Sequence, residues 1–210
     1  KEGDGRFILE FIRTLLGGGE QFEAFMSWLK FARLALLTGV RSQTPAMVLV
    51  GGKGDGKSLL IEIVCRSLGG RSSNAYKFLS GQTQFNGDLV SSELLVVDDN
   101  AAAKDHSSRL KLAQQVKGLL FAGSVSVEAK GVDAIQLEPI QALIMAVNKE
   151  PQHLRVLPEL DETMEDKIML LLTNPSPLPV DIAGEREKIH RKLSEDLPHF
   201  LHTVENWDFE

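Results

Sequence analysis

The stretch Gly51-Gly52-Lys53-Gly54-Asp55-Gly56-Lys57-Ser58 constrains this chain more than any other. It follows the apolar run Met47 to Val50 and precedes the helical pattern Leu59 to Leu68, so G-x-x-x-x-G-K-[ST] falls between a strand and a helix. Glycines let the backbone turn tightly around phosphate oxygens, with amide N–H groups and the positive helix end facing the anion. The loop from Gly51 through Leu59 (Gly51, Gly52, Lys53, Gly54, Asp55, Gly56, Lys57, Ser58, Leu59) is therefore the expected nucleotide contact. Lys57 is placed for the β- and γ-phosphates of ATP, and the Ser58 hydroxyl for Mg²⁺. A plain glycine-rich turn with a chance lysine is the competing reading.

Such a loop needs a metal-side carboxylate at the end of a neighbouring buried strand. Leu94-Leu95-Val96-Val97-Asp98-Asp99 supplies an apolar run ending in two acids, the Walker B pattern. Asp98 is expected to hold the Mg²⁺ shell and Asp99 to orient or deprotonate the attacking water. Adjacent acids after a strand also serve as turn formers. A third run, Leu143 to Val147, ends in Asn148, an amide able to bond both the γ-phosphate and the water. Asparagine also commonly opens turns, so the sensor role depends on the other two motifs.

Around these motifs the chain alternates short apolar runs with helical patterns. The runs are Met47 to Val50, Tyr76 to Leu79, Leu94 to Val97, Ser124 to Glu128, Ala134 to Leu137 and Leu143 to Val147; helical stretches cover Lys57 to Leu68 and Ser107 to Phe121. This predicts an α/β fold, a three-layer sandwich with a central, mostly parallel sheet. A β-hairpin with Lys130-Gly131 at its tip interrupts the rhythm. Ahead of it, Phe7, Ile8, Phe11, Ile12 and Leu15, then Phe22, Phe25, Met26, Leu29 and Leu36, predict two helices parted by Gly17-Gly18-Gly19. Trp28, Phe31 and Leu34 fall off the second stripe, so that helix is expected to be covered on more than one side. Beyond the break Asn174-Pro175-Ser176-Pro177-Leu178-Pro179, Glu185 to Leu197 reads as a charged amphipathic helix. The expected organisation is a helical segment over 1–45, a core over 46–175 and a helical segment over 176–210.

A length of 210 residues, 43% hydrophobic, suits one sizeable domain with appendages. The ends, Lys1-Glu2-Gly3-Asp4-Gly5 and Asn206-Trp207-Asp208-Phe209-Glu210, suggest a domain of a longer polypeptide. A net charge of −6 argues against a surface coated with basic residues for nucleic acid, but not against a local basic site. The apolar stretches fall short of a membrane span. The single cysteine, Cys65, fits a reducing cytosol and, on a face with Ile61 and Leu68, core packing. The five histidines form no ligand pattern: His199 and His202 share a helical spacing without an acidic or cysteine partner in register.

The order and close spacing of these motifs resemble superfamily 3 helicases, AAA+ P-loop ATPases, in particular the phage and plasmid primase-helicases related to the poxvirus primase-helicase. The stretch from Val116-Lys117-Gly118 through Gly123-Ser124 to Ala129-Lys130-Gly131 resembles the family's hairpin motif. Phe85-Asn86 and Asn148-Lys149-Glu150-Pro151 match the phage branch, and the likeness covers roughly Trp28 to Thr173. The resemblance implies a hexameric ring that hydrolyses ATP between subunits and moves along single-stranded DNA, beside a primase or other replication domain, in the bacterial cytosol. It assigns the DNA backbone to Lys130 with Gly131, and to Lys117 as a weaker candidate. A tip lysine also serves solubility. Where relatives carry an arginine finger before the last core strand, this chain has Met164-Glu165-Asp166-Lys167-Ile168, so Lys167 and the nearer arginine, Arg155, are both candidates. Lysine lacks the planar fork of arginine. An ATP-gated DNA-binding assembly module that does not unwind is the alternative function, and a P-loop kinase a further one.

Overall fold

The amino-terminal apolar spacing folds as two helices, α1 (Arg6–Leu16) and α2 (Gly19–Thr38). They belong to a computed structural model that describes residues 5–40, 44–83, 86–98, 106–121, 125–127, 135–138, 140–154, 157, 162, 164–175 and 183–208. Gly17 and Gly18 hold φ of 76° and 69°, a region L side chains rarely adopt, so glycine itself fixes the break. The chain continues through β1 (Ala46–Gly51), α3 (Lys57–Ser67), β2 (Ser72–Asn74), α4 (Tyr76–Leu79), α5 (Gly87–Val90), β3 (Leu94–Asp98) and α6 (His106–Phe121). After β4 (Val125–Val127) and β5 (Ile135–Leu137) come β6 (Ala142–Asn148), α7 (Pro151–Leu154), β7 (Ile168–Leu172) and α8 (Ala183–Glu205).

Among the described residues, five strands form one sheet in the order β2-β3-β6-β1-β7, and every pairing in it is parallel. Parallel sheets bury both faces, which is why β1 and β6 read as unbroken apolar runs. Side chains alternate across the sheet. Met47, Leu49, Leu94, Ile144 and Leu171 pack with α1, α2, α3 and α8, whereas Val48, Val50, Leu95, Val97, Leu143, Met145 and Val147 pack with α4 and α6. The sheet is thus the middle of three layers, the α/β sandwich expected from the sequence. Cys65 is partly buried against the first cluster. β4 and β5 form a separate antiparallel pair, with Ser126 opposite Gln136.

Tyr76 to Leu79 is not a strand but the single helical turn α4. The strand beside β3 is instead the polar Ser72–Asn74, which pairs with Leu94, Leu95 and Val96. The Asn74 side chain accepts the Tyr76 N–H at 3.0 Å and turns the chain out of the sheet, while Tyr76 and Leu79 bury as an i, i+3 pair. Trp28 is buried with its Nε1–H donated to the Pro45 carbonyl at 2.8 Å, but Phe31 and Leu34 are 43% and 50% exposed, so α2 is covered on its second side only at Trp28.

The carboxyl-terminal helix runs further than its charge pattern suggested, continuing through Pro198 to Glu205. Leu193, Phe200 and Val204 bury against α1 and α2, and that packing outweighs the backbone bond proline removes. Asp196 is buried among them and accepts the Gly5 and Ile8 N–H groups at 2.9 and 3.0 Å. α1 begins at a glycine without a capping side chain, so α8 supplies its cap. Arg33 on α2 donates at 2.5 Å to both the Ser67 carbonyl, at the end of α3, and Glu205 on α8. Where β2 and β3 begin, the Arg71 guanidinium bonds Glu93 and holds its carboxyl below the usual range.

Candidate functional site

The carboxyl ends of β3, β6 and β1 lie side by side, and the three sequence motifs meet there. Gly51 is the register partner of Asn148, and Asp98 pairs with Ala146 on the same edge. In open α/β sheets this edge is where ligands bind. The loop leaves β1 and enters α3 through Gly54 and Gly56, whose φ values of 84° and 109° require glycine.

Lys57 opens α3 and folds back over the loop. Its ammonium donates to the Gly51 carbonyl at 3.1 Å, to the Gly52 carbonyl at 2.7 Å and to Asn148 Oδ1 at 3.1 Å. The loop lysine and the end of β6 thus share a positive charge across 91 residues of sequence. Lys149 N–H on the Gly51 carbonyl at 3.0 Å stitches the two strand ends together. Ser58, on the first turn of α3, and Lys53 and Gly54, at the loop tip, are exposed; Gly56 and Leu59 are partly buried. Asp98 is partly buried at the end of β3. Among the described residues, the Asp98 carboxylate and the Ser58 hydroxyl on this edge are the oxygen ligands that suit a hard cation, which takes few protein ligands when phosphate holds it, and the Lys57 ammonium suits the phosphate. Among the described residues there is no group of three or more His, Cys, Asp and Glu placed to hold a metal ion by itself.

Asp55 turns inward. It is 8% exposed, and its Oδ2 accepts the Gly52 N–H at 2.5 Å and the Thr173 hydroxyl at 3.2 Å. Thr173 follows β7 and donates its own N–H to the Val50 carbonyl at 2.8 Å. The sequence reading missed Thr173. A polar residue ending an apolar run was visible there, but nothing in the sequence places β7 beside β1. A Cβ on Gly51 would lie 1.7 Å from Thr173 Oγ1 and 2.6 Å from Asp55 Oδ2, so the first motif glycine is required by close approach. Gly51→Ala is therefore expected to lower stability by about 1–3 kcal/mol, the usual cost of overpacking. It should also weaken ATP binding, as checked by thermal unfolding and nucleotide titration; a stable variant with unchanged affinity would contradict the packing described.

Lys167 lies elsewhere. It ends a 3-10 turn before β7, at the opposite edge of the sheet, about 20 Å from Gly51 at some 3.3 Å per residue. It bonds Asp166, whose carboxyl it holds below its usual range. Lys117 is partly buried on α6. The Asn86 side chain, itself buried, donates to the Ser126 carbonyl on β4 at 2.8 Å and ties the antiparallel pair to the body. Asp99, Lys130, Gly131 and Arg155 lie outside the described residues.

Residues 49–164 match the model of a family described as being of unknown function, DUF5906. No curated protein matches the chain. Among solved structures, the apo C-terminal region of NrS-1 shares the fold at TM-score 0.74 and 14% identity, over 100% of this chain and 47% of that one. JCV helicase bound to a substituted acetamide aligns at TM-score 0.52 and 15% identity, over 98% of this chain and 60% of that one. The chain thus spans about half the length of the NrS-1 region. Identities this low speak to fold alone, and the fold is the one that the NrS-1 region and JCV helicase share with this chain.

Proposed function

The chain belongs to DUF5906, a family of unknown function, and from that premise we propose that it is the ATP-hydrolysing motor of a superfamily 3 DNA helicase, from a phage or mobile-element replication protein. The observation that carries this reading is the Lys57 ammonium shared by Gly51, Gly52 and Asn148 at the carboxyl edge of a parallel sheet. A fixed cation beside a helix N-terminus and an amide is an arrangement that stabilises charge developing on a transferring phosphoryl group.

On this reading the loop from Gly51 to Leu59 holds ATP, while Ser58 and Asp98 hold Mg²⁺, which when bound offsets phosphate charge. Asp99 serves the attacking water and Asn148 senses the γ-phosphate. Residues 46–175 form the motor core, braced by the flanking helical segments. Lys167, on the far edge of the sheet, is too distant to serve its own nucleotide. It would act only on that of a neighbouring copy, a role for which Arg155 competes. That geometry favours a ring, with a hexamer as the family expectation. Lys130 and Gly131, with Lys117, would grip single-stranded DNA through phosphate contacts, which lysine makes without reading sequence. A primase or other replication domain would share the chain or complex, in the bacterial cytosol.

The test is strand displacement on a forked duplex with ATP and Mg²⁺, together with particle mass with and without nucleotide and single-stranded DNA. Unwinding by a ring, absent from a Lys57→Ala control, is expected. ATP-driven assembly with near-zero turnover on single-stranded DNA would instead select the ATP-gated assembly module. Phosphate transfer only to an added acceptor would select a kinase.

A further inference from the structure

Asp55 is the only acid between Gly51 and Ser58. A carboxylate facing a nucleotide would repel it, yet this one sits inside the loop with both of its described donors on the protein side. We propose that Asp55 and Thr173 act as a positioning clamp, which fastens the loop to the end of β7 and keeps the Gly52 carbonyl aimed at Lys57. The proposal rests on the reading of the loop as a nucleotide site and adds two residues that act through others.

Thr173 is anchored by its N–H on the Val50 carbonyl, and its hydroxyl lies 3.2 Å from Asp55 Oδ2 and 3.5 Å from that same carbonyl, so the carboxylate is its nearer acceptor. That hydroxyl and the Gly52 N–H converge on Asp55 Oδ2. The Gly52 N–H is thereby committed to the loop itself and not presented to an anion. The carbonyl of the same residue makes the shortest of the three described Lys57 contacts, 2.7 Å, and also accepts the Asp55 N–H at 3.4 Å. The absence of a side chain at Gly51 is what lets Thr173 and Asp55 meet. Charge-assisted hydrogen bonds are directional; the Gly52 contact, at 2.5 Å, is the short member of the pair, and the Thr173 contact, at 3.2 Å, is the longer one that ties it to β7.

The experiment compares Thr173→Val, Thr173→Ser and Asp55→Ala with the parent and Lys57→Ala. Each is titrated with a fluorescent ATP analogue and its thermal midpoint measured without nucleotide. Thr173→Val keeps the shape but not the donor, and should weaken binding roughly tenfold, the size of one hydrogen bond to a charged group. Thr173→Ser keeps the donor and should stay within about twofold of the parent. Asp55→Ala removes a negative charge from the neighbourhood of a polyanion, which by Coulomb's law alone should tighten binding. The clamp requires it to weaken. Parent-like binding by Thr173→Val, equal losses in the valine and serine variants, or tighter binding by Asp55→Ala would overturn the clamp and leave the nucleotide reading intact. If the parent binds the analogue no better than Lys57→Ala, the nucleotide reading falls and the clamp with it. Should Thr173→Val fail to fold, the sign of the Asp55→Ala effect decides.

Discussion

Replacing Lys57 by alanine is expected to slow ATP hydrolysis by roughly 10²- to 10³-fold, the cost of removing one preorganised electrostatic contact to a reacting group. The lysine does not float over the loop. Among the described residues three acceptors fix its ammonium, two of them carbonyls of the loop itself and one the amide of Asn148 on the neighbouring strand. Its position is thus set before phosphate arrives, and little reorganisation is left for the reaction. Thermal unfolding should change little, because the carbonyls left behind keep backbone donors, Lys149 N–H on Gly51 and Asp55 N–H on Gly52. Asn148→Ala should also slow hydrolysis. Because the two side chains meet at 3.1 Å, the double variant should lose less than the sum of the singles, by about 0.5–3 kcal/mol of coupling. Single-turnover rates of the four proteins close the cycle. Additive losses would mean that Asn148 works independently of Lys57, and a parent-like rate for Lys57→Ala would remove the phosphate site altogether.

Asp196→Ala is expected to cost roughly 2–4 kcal/mol of stability, since two main-chain donors at the start of α1 lose a charged acceptor in a buried setting. For a chain of this size that corresponds to a fall of roughly 5–15 °C in the unfolding midpoint. The effect is large because the cap joins two helices that frame the same core, in which Ile8, Ile12 and Leu15 meet Leu193, Phe200 and Val204. Asp196→Asn keeps an acceptor but not the charge and should recover part of the loss. Nucleotide affinity of the folded protein should not move, as the cap lies among α1 and α8 and not on the carboxyl edge of the sheet. Calorimetry and titration of the same samples separate the two; an unchanged midpoint would show that the cap carries no stability.

The loop around Lys57 could be read directly, because glycine conformation, a strand before it and a helix after it are local properties of neighbouring residues. The same is true of the parallel sheet: runs such as Met47 to Val50 and Leu143 to Val147 are apolar on both faces, and only a covered sheet has use for that. Local signals failed where polarity and length misled. Ser72–Asn74 looks nothing like a strand, and pairs only because β3 offers it an edge; Tyr76 to Leu79 looks like one, and is turned into a helix by Asn74.

What the amino-acid order determined by itself is the glycine loop between a strand and a helix, the alternation of strand and helix and the two polar strand ends, Asp98 and Asn148, that punctuate it. What only the tertiary structure decided is which of these touch. Strand order put β6 and β7 on either side of β1, and so brought Asn148 to Lys57 and Thr173 to Asp55, across 91 and 118 residues. It carried Lys167 to the far edge, and it gave α1 a cap from a carboxylate 191 residues beyond Gly5. Periodicity and turn chemistry act over a few residues. Hydrogen bonds between chain segments this far apart have no local signature, and depend on the burial that the whole fold provides.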